Sequence, residues 1–275
     1  MNAIINYFET IPSSHRGLIL ASGIAFFWLI ENAKPFVKFE YNKWKHAAIN
    51  IFFTITTIIV NFCLAFLLLK AANYTTLNKF GLLQLLPNIN IYLYTIVGLL
   101  LLDLTGAYLP HLVQHKIKAL WRFHLIHHTD TFIDTTSANR HHPGESVIRF
   151  LFTTLGVLII GAPIWLIFLY QTLSVVATQF THANISLPKK IDAILSYFIV
   201  SPDMHKIHHH YKLPYTDSNY GNIFSVWDRL FGTFLYMNRE KVVYGIDTHM
   251  QPIENNRLLN LLIIPFQKLR TPNQE

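Results

Sequence analysis

The sequence predicts an all-α integral membrane protein of about four transmembrane helices or helical hairpins, under a cytoplasmic helical cap that carries a histidine-rich site for two metals. Three observations predict it. The 275 residues are 52% hydrophobic and only 13% charged, against roughly 25% charged in soluble domains, and the mean hydropathy is +0.31. Residues 47–69 form an uncharged apolar run, long enough for a hydrocarbon core of about 30 Å. Imidazoles recur at helical spacing: His124, His127 and His128 stand at i, i+3 and i+4, His205, His208 and His209 repeat that pattern, and His111 and His115 precede both. On a helix such offsets share one face.

Residues 1–16, with Pro12, read as a short interfacial lead; Glu9 and the lack of a basic start argue against a cleaved signal peptide. A mostly apolar segment from Gly17 to Ala33 stops at Glu31, Asn32, Lys34 and Pro35, near the lower limit of about 17 residues for a span. The 47–69 helix follows, then a polar connection over 70–90 that includes Pro87. The third run, 91–109, ends at Pro110 and His111 and holds one acid, Asp103; a carboxylate there needs protein or metal to face.

The apolar stretch 147–180 is broken at Gly161-Ala162-Pro163. It is either one long tilted helix or a re-entrant hairpin with halves too short to span, and the hairpin is preferred because His142 before it and His182 after it must reach the same side. Residues 191–200 read as an interfacial helix, 201–249 as a polar, aromatic, histidine-bearing region, 258–265 as an apolar patch and 268–275 as a frayed tail. The chain divides into N-terminal spans (1–100), a catalytic unit (101–240) and a C-terminal interfacial tail (241–275).

The net charge is +7, but the basic residues flank apolar spans, which reads as topology signal rather than nucleic-acid binding. Lys34, Lys38, Lys43 and Lys45 share a face with Lys116, Lys118, Arg122, Arg140 and Arg149, while Arg16, Lys70 and Lys79 lie opposite. That asymmetry puts the histidines in the cytoplasm. The single cysteine, Cys63, forms no internal disulfide and reads as a small buried hydrophobe.

Ten histidines are candidate ligands: His111, His115, His124, His127, His128, His142, His182, His205, His208 and His209. They divide into two metals with four or five each, leaving open positions for dioxygen. Imidazole suits zinc, copper, iron and nickel alike, so this pattern leaves the metal open. His15, His46 and His249 read as interfacial hydrogen-bonding side chains, and His141 and His210 as bystanders beside likelier ligands. Because a ligand imidazole gives its other N–H to an acceptor, Asp103, Asn184, Asp203, Asn219 and Asp228 are candidates to hold the ligands in place.

The motifs Asp103 through His111-x-x-x-His115, Trp121-Arg-Phe-His-Leu-Ile-His-His128, Arg140-His-His-Pro143 with Glu145, Phe180-Thr-His-Ala-Asn184, Ser201-Pro-Asp-Met-His-Lys-Ile-His-His209, Asn219-Tyr-Gly221 and Trp227-Asp-Arg-Leu-Phe-Gly-Thr233 resemble the fatty acid hydroxylase and sterol desaturase superfamily of membrane-bound di-iron oxygenases. The similarity is greatest to its bacterial sterol desaturase branch. The resemblance implies two iron ions on the histidines named above, His142 rather than His141 among them, with no catalytic residue beyond the ligands. It implies dioxygen-dependent hydroxylation or desaturation of a fatty-acyl, sterol or related lipid. With no G-x-G-x-x-G and no cysteine set, electrons are expected from a separate donor, a cytochrome or a ferredoxin with its reductase. The expected location is a bacterial inner membrane, or the endoplasmic reticulum in a eukaryote. Two other classes stay open: a histidine-rich metal-binding or transport protein, which should place histidines inside its spans, and a bis-histidine haem protein.

Overall fold

The computed structural model describes residues 1–86 and 89–271; Pro87 of the 70–90 connection and the last four residues of the tail lie outside them. Among the described residues there is no β-strand, only two isolated bridges. The helices are α1 (Asn2–Glu9), α2 (Ser13–Ala33), α3 (Lys43–Leu77), α4 (Ile91–Asp103), α5 (Leu109–Lys116), α6 (Lys118–His128), α7 (Pro143–Ile160), α8 (Ile164–His182), α9 (Lys189–Leu195), α10 (Pro202–His208), α11 (Val226–Leu230), α12 (Pro252–Asn255) and α13 (Leu258–Ile263).

Five helical stretches are long and apolar enough to cross a membrane: α2, α3, the continuous rod from Ile91 to Lys116, α7 and α8. Their surfaces carry exposed apolar side chains, Ile58, Phe62 and Phe66 on α3 and Leu151, Leu155 and Ile159 on α7, as lipid contact requires and water does not. Cys63 sits on that surface, exposed, not buried as expected; a face turned to lipid tolerates a thiol as well as a core does.

The third run does not stop at Pro110. A π-helical turn over Leu104–Tyr108 joins α4 to α5, and Pro110 lies in the first turn of α5. Proline lacks an N–H and its ring crowds the carbonyl four residues back; the wider π turn absorbs that defect and lets one rod carry His111 and His115.

The 147–180 stretch is a hairpin, but neither arm is short. Helix α7 starts at Pro143, where a proline suits the first turn, with Glu145 following, and it has 18 residues; α8 runs on to His182 and has 19. Both meet the length of a full span, which corrects the re-entrant reading. Gly161 ends α7 in the left-handed conformation, φ 71°, and a Cβ there would lie 2.3 Å from the Phe80 carbonyl oxygen. Only glycine fits that turn.

The chain alternates direction through these five stretches, so the C-termini of α2, α5 and α8 and the N-termini of α3 and α7 meet at one end. Glu31 at the end of α2 accepts N–H bonds from Thr135 and Asn184 at 3.1 and 3.0 Å. His46 at the start of α3 is buried, not interfacial: Nε2 lies 2.8 Å from Asp130 and Nδ1 3.2 Å from Asp134. A core of Leu68, Leu102, Val157, Ile160, Leu166 and Ile167 fills the other half of the bundle. The segment after 241 closes over α6, where Ile246, Leu261 and Ile264 bury against Leu125 and Ile126; it is part of the cap, with Leu259 and Phe266 left on the outside.

Candidate metal centre

The histidines at four-residue spacing and His182 are brought together by four elements, α5, α6, α8 and α10. His111, His115, His124, His128 and His208 form one group and His127, His182, His205 and His209 a second; within each, one ring nitrogen per residue lies within 4.8 Å of the others. The two His-x-x-His-His motifs are split in complementary fashion. On α6 the i, i+4 pair His124 and His128 faces the first group and His127 the second; on α10 the pair His205 and His209 faces the second group and His208 the first. The groups adjoin, with His128 and His209 stacked at 4.9 Å between ring centroids.

The donor atoms suit cations. In the first group the Nε2 atoms of His111, His115, His124, His128 and His208 are all buried without a hydrogen-bond partner, although a buried polar atom without one costs about 1–3 kcal/mol. In the second, His182 Nε2 lies 3.1 Å from His127 Nε2, 3.1 Å from His205 Nε2 and 3.2 Å from His209 Nε2. Nitrogens about 2.0–2.1 Å from a shared first-row cation stand about 2.9–3.4 Å apart. Both arrangements fit metal coordination and neither fits hydrogen bonding alone.

The opposite nitrogens fix the rings. His111 Nδ1 donates to the Tyr220 carbonyl at 2.9 Å, His208 Nδ1 to the Ser218 carbonyl at 2.6 Å, His182 Nδ1 to the Thr178 carbonyl at 2.8 Å and His124 Nδ1 to Glu145 Oε1 at 2.7 Å. Each bond sets a tautomer that presents Nε2 as a bare lone pair. Burial holds the imidazoles of His124, His127, His128, His205 and His209 below their ordinary value, and neighbouring imidazoles push the same way; Glu145 pulls His124 partly back. His208 is held at about 3. Neutral rings are what a cation needs as ligands.

His142 joins neither group. It caps α7, its Nδ1 accepting the Gly144 N–H at 3.0 Å, and packs between Phe123 and Phe266. The helix start at Pro143 forces this, because the N-cap side chain turns back on its own helix. His141 takes the inward place instead. Its ring stacks on His127 at 4.7 Å, its Nδ1 lies 3.0 Å from Glu145 Oε1, and with His124 and Glu145 it makes a third cluster of ligand-type atoms. His210 stays outside, its Nδ1 accepting from Val243 N–H.

Of the five expected holders of the ligand rings, none touches one with its side chain. Asp103 accepts the N–H groups of Ile223 and Phe224, Asn184 pairs with the backbone of Val37 and Asp203 pairs with Arg239. Asp228 and Asn219 act one step away: Asp228 accepts the N–H groups of Tyr220 and Gly221, and Asn219 lies between the two carbonyls that orient His208 and His111. The residues that do hold the rings, Glu145 apart, use backbone carbonyls, for which a sequence carries no mark. Glu145 had one: an acid in the first turn after a pair of histidines.

This is an all-helical chain with five potential membrane spans and a buried polyhistidine centre at one end of the bundle. The sequence profile described as fatty acid hydroxylase matches residues 95–233, half of the chain, and the chain belongs to that family. It is 27% identical over 140 residues to ornithine lipid hydroxylase OlsE of Rhizobium tropici, covering 50% of this chain and 41% of that protein. It is 30% identical over 145 residues to alkylglycerol monooxygenase of Danio rerio, covering 52% and 31%, and 27% identical over 124 residues to a cholesterol 25-hydroxylase-like protein of Danio rerio, covering 45% and 48%. The matches thus span less than half the length of each of these relatives. No solved structure matches the chain.

Proposed function

We propose that the protein is a membrane-bound di-iron oxygenase that hydroxylates, or desaturates, a C–H bond of a lipid. One iron would be held by His111, His115, His124, His128 and His208 and the other by His127, His182, His205 and His209, with His141 at the open side of the second. The observation that carries this reading is the pair of adjoining buried nitrogen sets, nine imidazoles aimed at two points. Such a pair of ions, when bound, supplies the reduction of dioxygen and an oxidant able to take hydrogen from an unactivated carbon.

The protein's own part is positioning. Glu145 and the carbonyls of Thr178, Ser218 and Tyr220 keep the Nδ1 protons in place, and the cap formed by α6, α10 and the C-terminal segment keeps water from the centre. Hydroxylation by dioxygen consumes electrons and protons from outside, and the chain carries no nucleotide fingerprint, so a cytochrome or a ferredoxin with its reductase delivers them. The names of the three relatives, a lipid hydroxylase, a monooxygenase and a hydroxylase-like protein, favour hydroxylation over desaturation. Lys34, Lys38, Lys43 and Lys45 flank the histidine end of the bundle, which supports reading that end as cytoplasmic, with the catalytic unit as residues 101–240.

Purified protein should hold two irons per chain, and His127→Ala or His208→Ala should lose metal and product together. Comparing the lipids of cells with and without the gene then identifies the reaction, as a missing hydroxyl or double bond. Full turnover in either mutant rules the site out.

A further inference from the structure

A cavity of about 480 Å³ opens between α2, α3, α7 and α8. Its inner end is lined by Ala138, Asn139 and His141, and its side by Phe62 and Leu69 on the exposed face of α3. Along α8 it extends from Phe168 to Thr178, about 15 Å at 1.5 Å per residue. It therefore joins the lipid-facing surface to the histidine ring that stacks on His127.

Arg149 of α7 lines this cavity, one turn beyond Glu145. Its nearest opposite charge is Glu145 Oε1, at 3.9 Å, too far for a hydrogen bond. That oxygen already accepts from His124 and faces His141. No hydrogen bond to the guanidinium is found among the described residues. A guanidinium offers five N–H donors in a fixed fork, and an arginine inside a span without an engaged partner marks a binding function by default. Arg16, toward the other end of the cavity, is partly engaged: it reaches Ser13 Oγ at 3.4 Å and lies over the Phe168 ring at 4.6 Å, while its buried Nε has no partner.

We propose that Arg149 binds the oxyanion of an amphiphilic substrate, a carboxylate or a phosphate, through paired N–H donors. The tail then leaves past Phe62 toward the bilayer, and the carbon presented beside His141 lies within a few bonds of the charged end. This rests on the oxygenase reading of the histidine centre and names its substrate class: an anionic amphiphile attacked near its head.

The test is calorimetric titration of the metal-loaded protein, in an uncharged maltoside detergent, with decyl phosphate, decanoate and decanol, each corrected against empty micelles. The wild type should bind at least one of the two anions about tenfold or more tighter than decanol, and the tighter of the two identifies the oxyanion. Arg149→Gln should bring that anion to the affinity of decanol while metal content stays unchanged, and Arg149→Lys should keep part of the preference. Equal binding of anions and decanol by the wild type, or an anion preference that survives Arg149→Gln, overturns the proposal. So does loss of metal in Arg149→Gln, which would make Arg149 a counter-ion of Glu145, or loss of the preference in Arg16→Gln instead. A wild type that holds no iron fails the oxygenase reading, while the titrations still decide the anion site.

Discussion

His208 donates its Nδ1–H to the carbonyl of Ser218 at 2.6 Å. Two residues on, the Tyr220 carbonyl does the same for His111, so one short loop orients a ring from α10 and a ring from α5. Between the two carbonyls stands Asn219, in the left-handed region at φ 51°. Its side chain donates to the carbonyls of Met204 and Leu235 and accepts from the N–H of Leu235. Asparagine tolerates that backbone; alanine does not. Asn219→Ala should therefore cost roughly 2–4 kcal/mol in lost hydrogen bonds and backbone strain. It should also weaken metal retention by roughly 10–100-fold, the usual effect of losing an outer partner of the ligands. Chelator competition checks the second effect, and unchanged retention would show that the loop does not orient the rings.

Glu145 lies within hydrogen-bond distance of two rings of the histidine cluster and serves His124 and His141 together. Glu145→Ala removes the acceptor that fixes the His124 tautomer and should lower metal affinity roughly 10–100-fold. Glu145→Gln keeps an acceptor oxygen without the charge and should fall between alanine and wild type. Isothermal titration of the metal-depleted protein with ferrous iron, under anaerobic conditions, gives the order.

Adjacent histidines should behave differently. His142 caps α7 and packs on two phenylalanines, so His142→Ala should cost about 1 kcal/mol of stability with the metal stoichiometry intact. His141 stacks on His127 beside the cavity, so His141→Ala should lower metal content or turnover with little change in the melting temperature of the metal-free protein. Metal analysis and thermal denaturation on the same two preparations settle which of the pair belongs to the centre. Metal loss in His142→Ala alone would reverse the assignment.

The contrast between these two residues marks where sequence reasoning ends. Apolar run length is a direct readout of span length, and the all-helical membrane fold follows from it. Helix periodicity likewise puts the imidazoles of each motif near one another. What periodicity does not carry is direction finer than a face. The i+3 ring of one motif and the i, i+4 pair of the other point to the same cation only because α6 and α10 bring their rings face to face across the centre. The orientation of His141 and His142 is set by where α7 begins, which depends on Pro143 as a helix-starting residue rather than on the histidines. The acids singled out as partners of the ligands, Asp103, Asp203 and Asp228, are charged groups in a low-dielectric setting and need donors, but they find them in loop backbone and in Arg239. The rings take backbone carbonyls instead, which every residue possesses and none advertises.

Acidity should act on the metal-free protein through the same imidazoles. Burial holds them below the ordinary value near 6.5 of an unfolded chain, with His208 at about 3 and His127, His128, His205 and His209 well below it. A group whose value is lower in the folded state binds fewer protons there than in the unfolded chain. Its contribution to stability is therefore complete above pH ~6.5 and drains away as the pH falls toward the folded value. Each such ring removes up to about 1.4 kcal/mol per pH unit inside that window. Several act together, so chelator-treated protein should show a melting temperature that falls steeply between pH ~6 and 4. Iron binds only the neutral rings and so adds stability that protons must displace; the loaded protein should hold its melting temperature to a lower pH, with metal release tracking the drop. Coincident curves for the loaded and stripped protein would mean that the cation does not sit on these nitrogens.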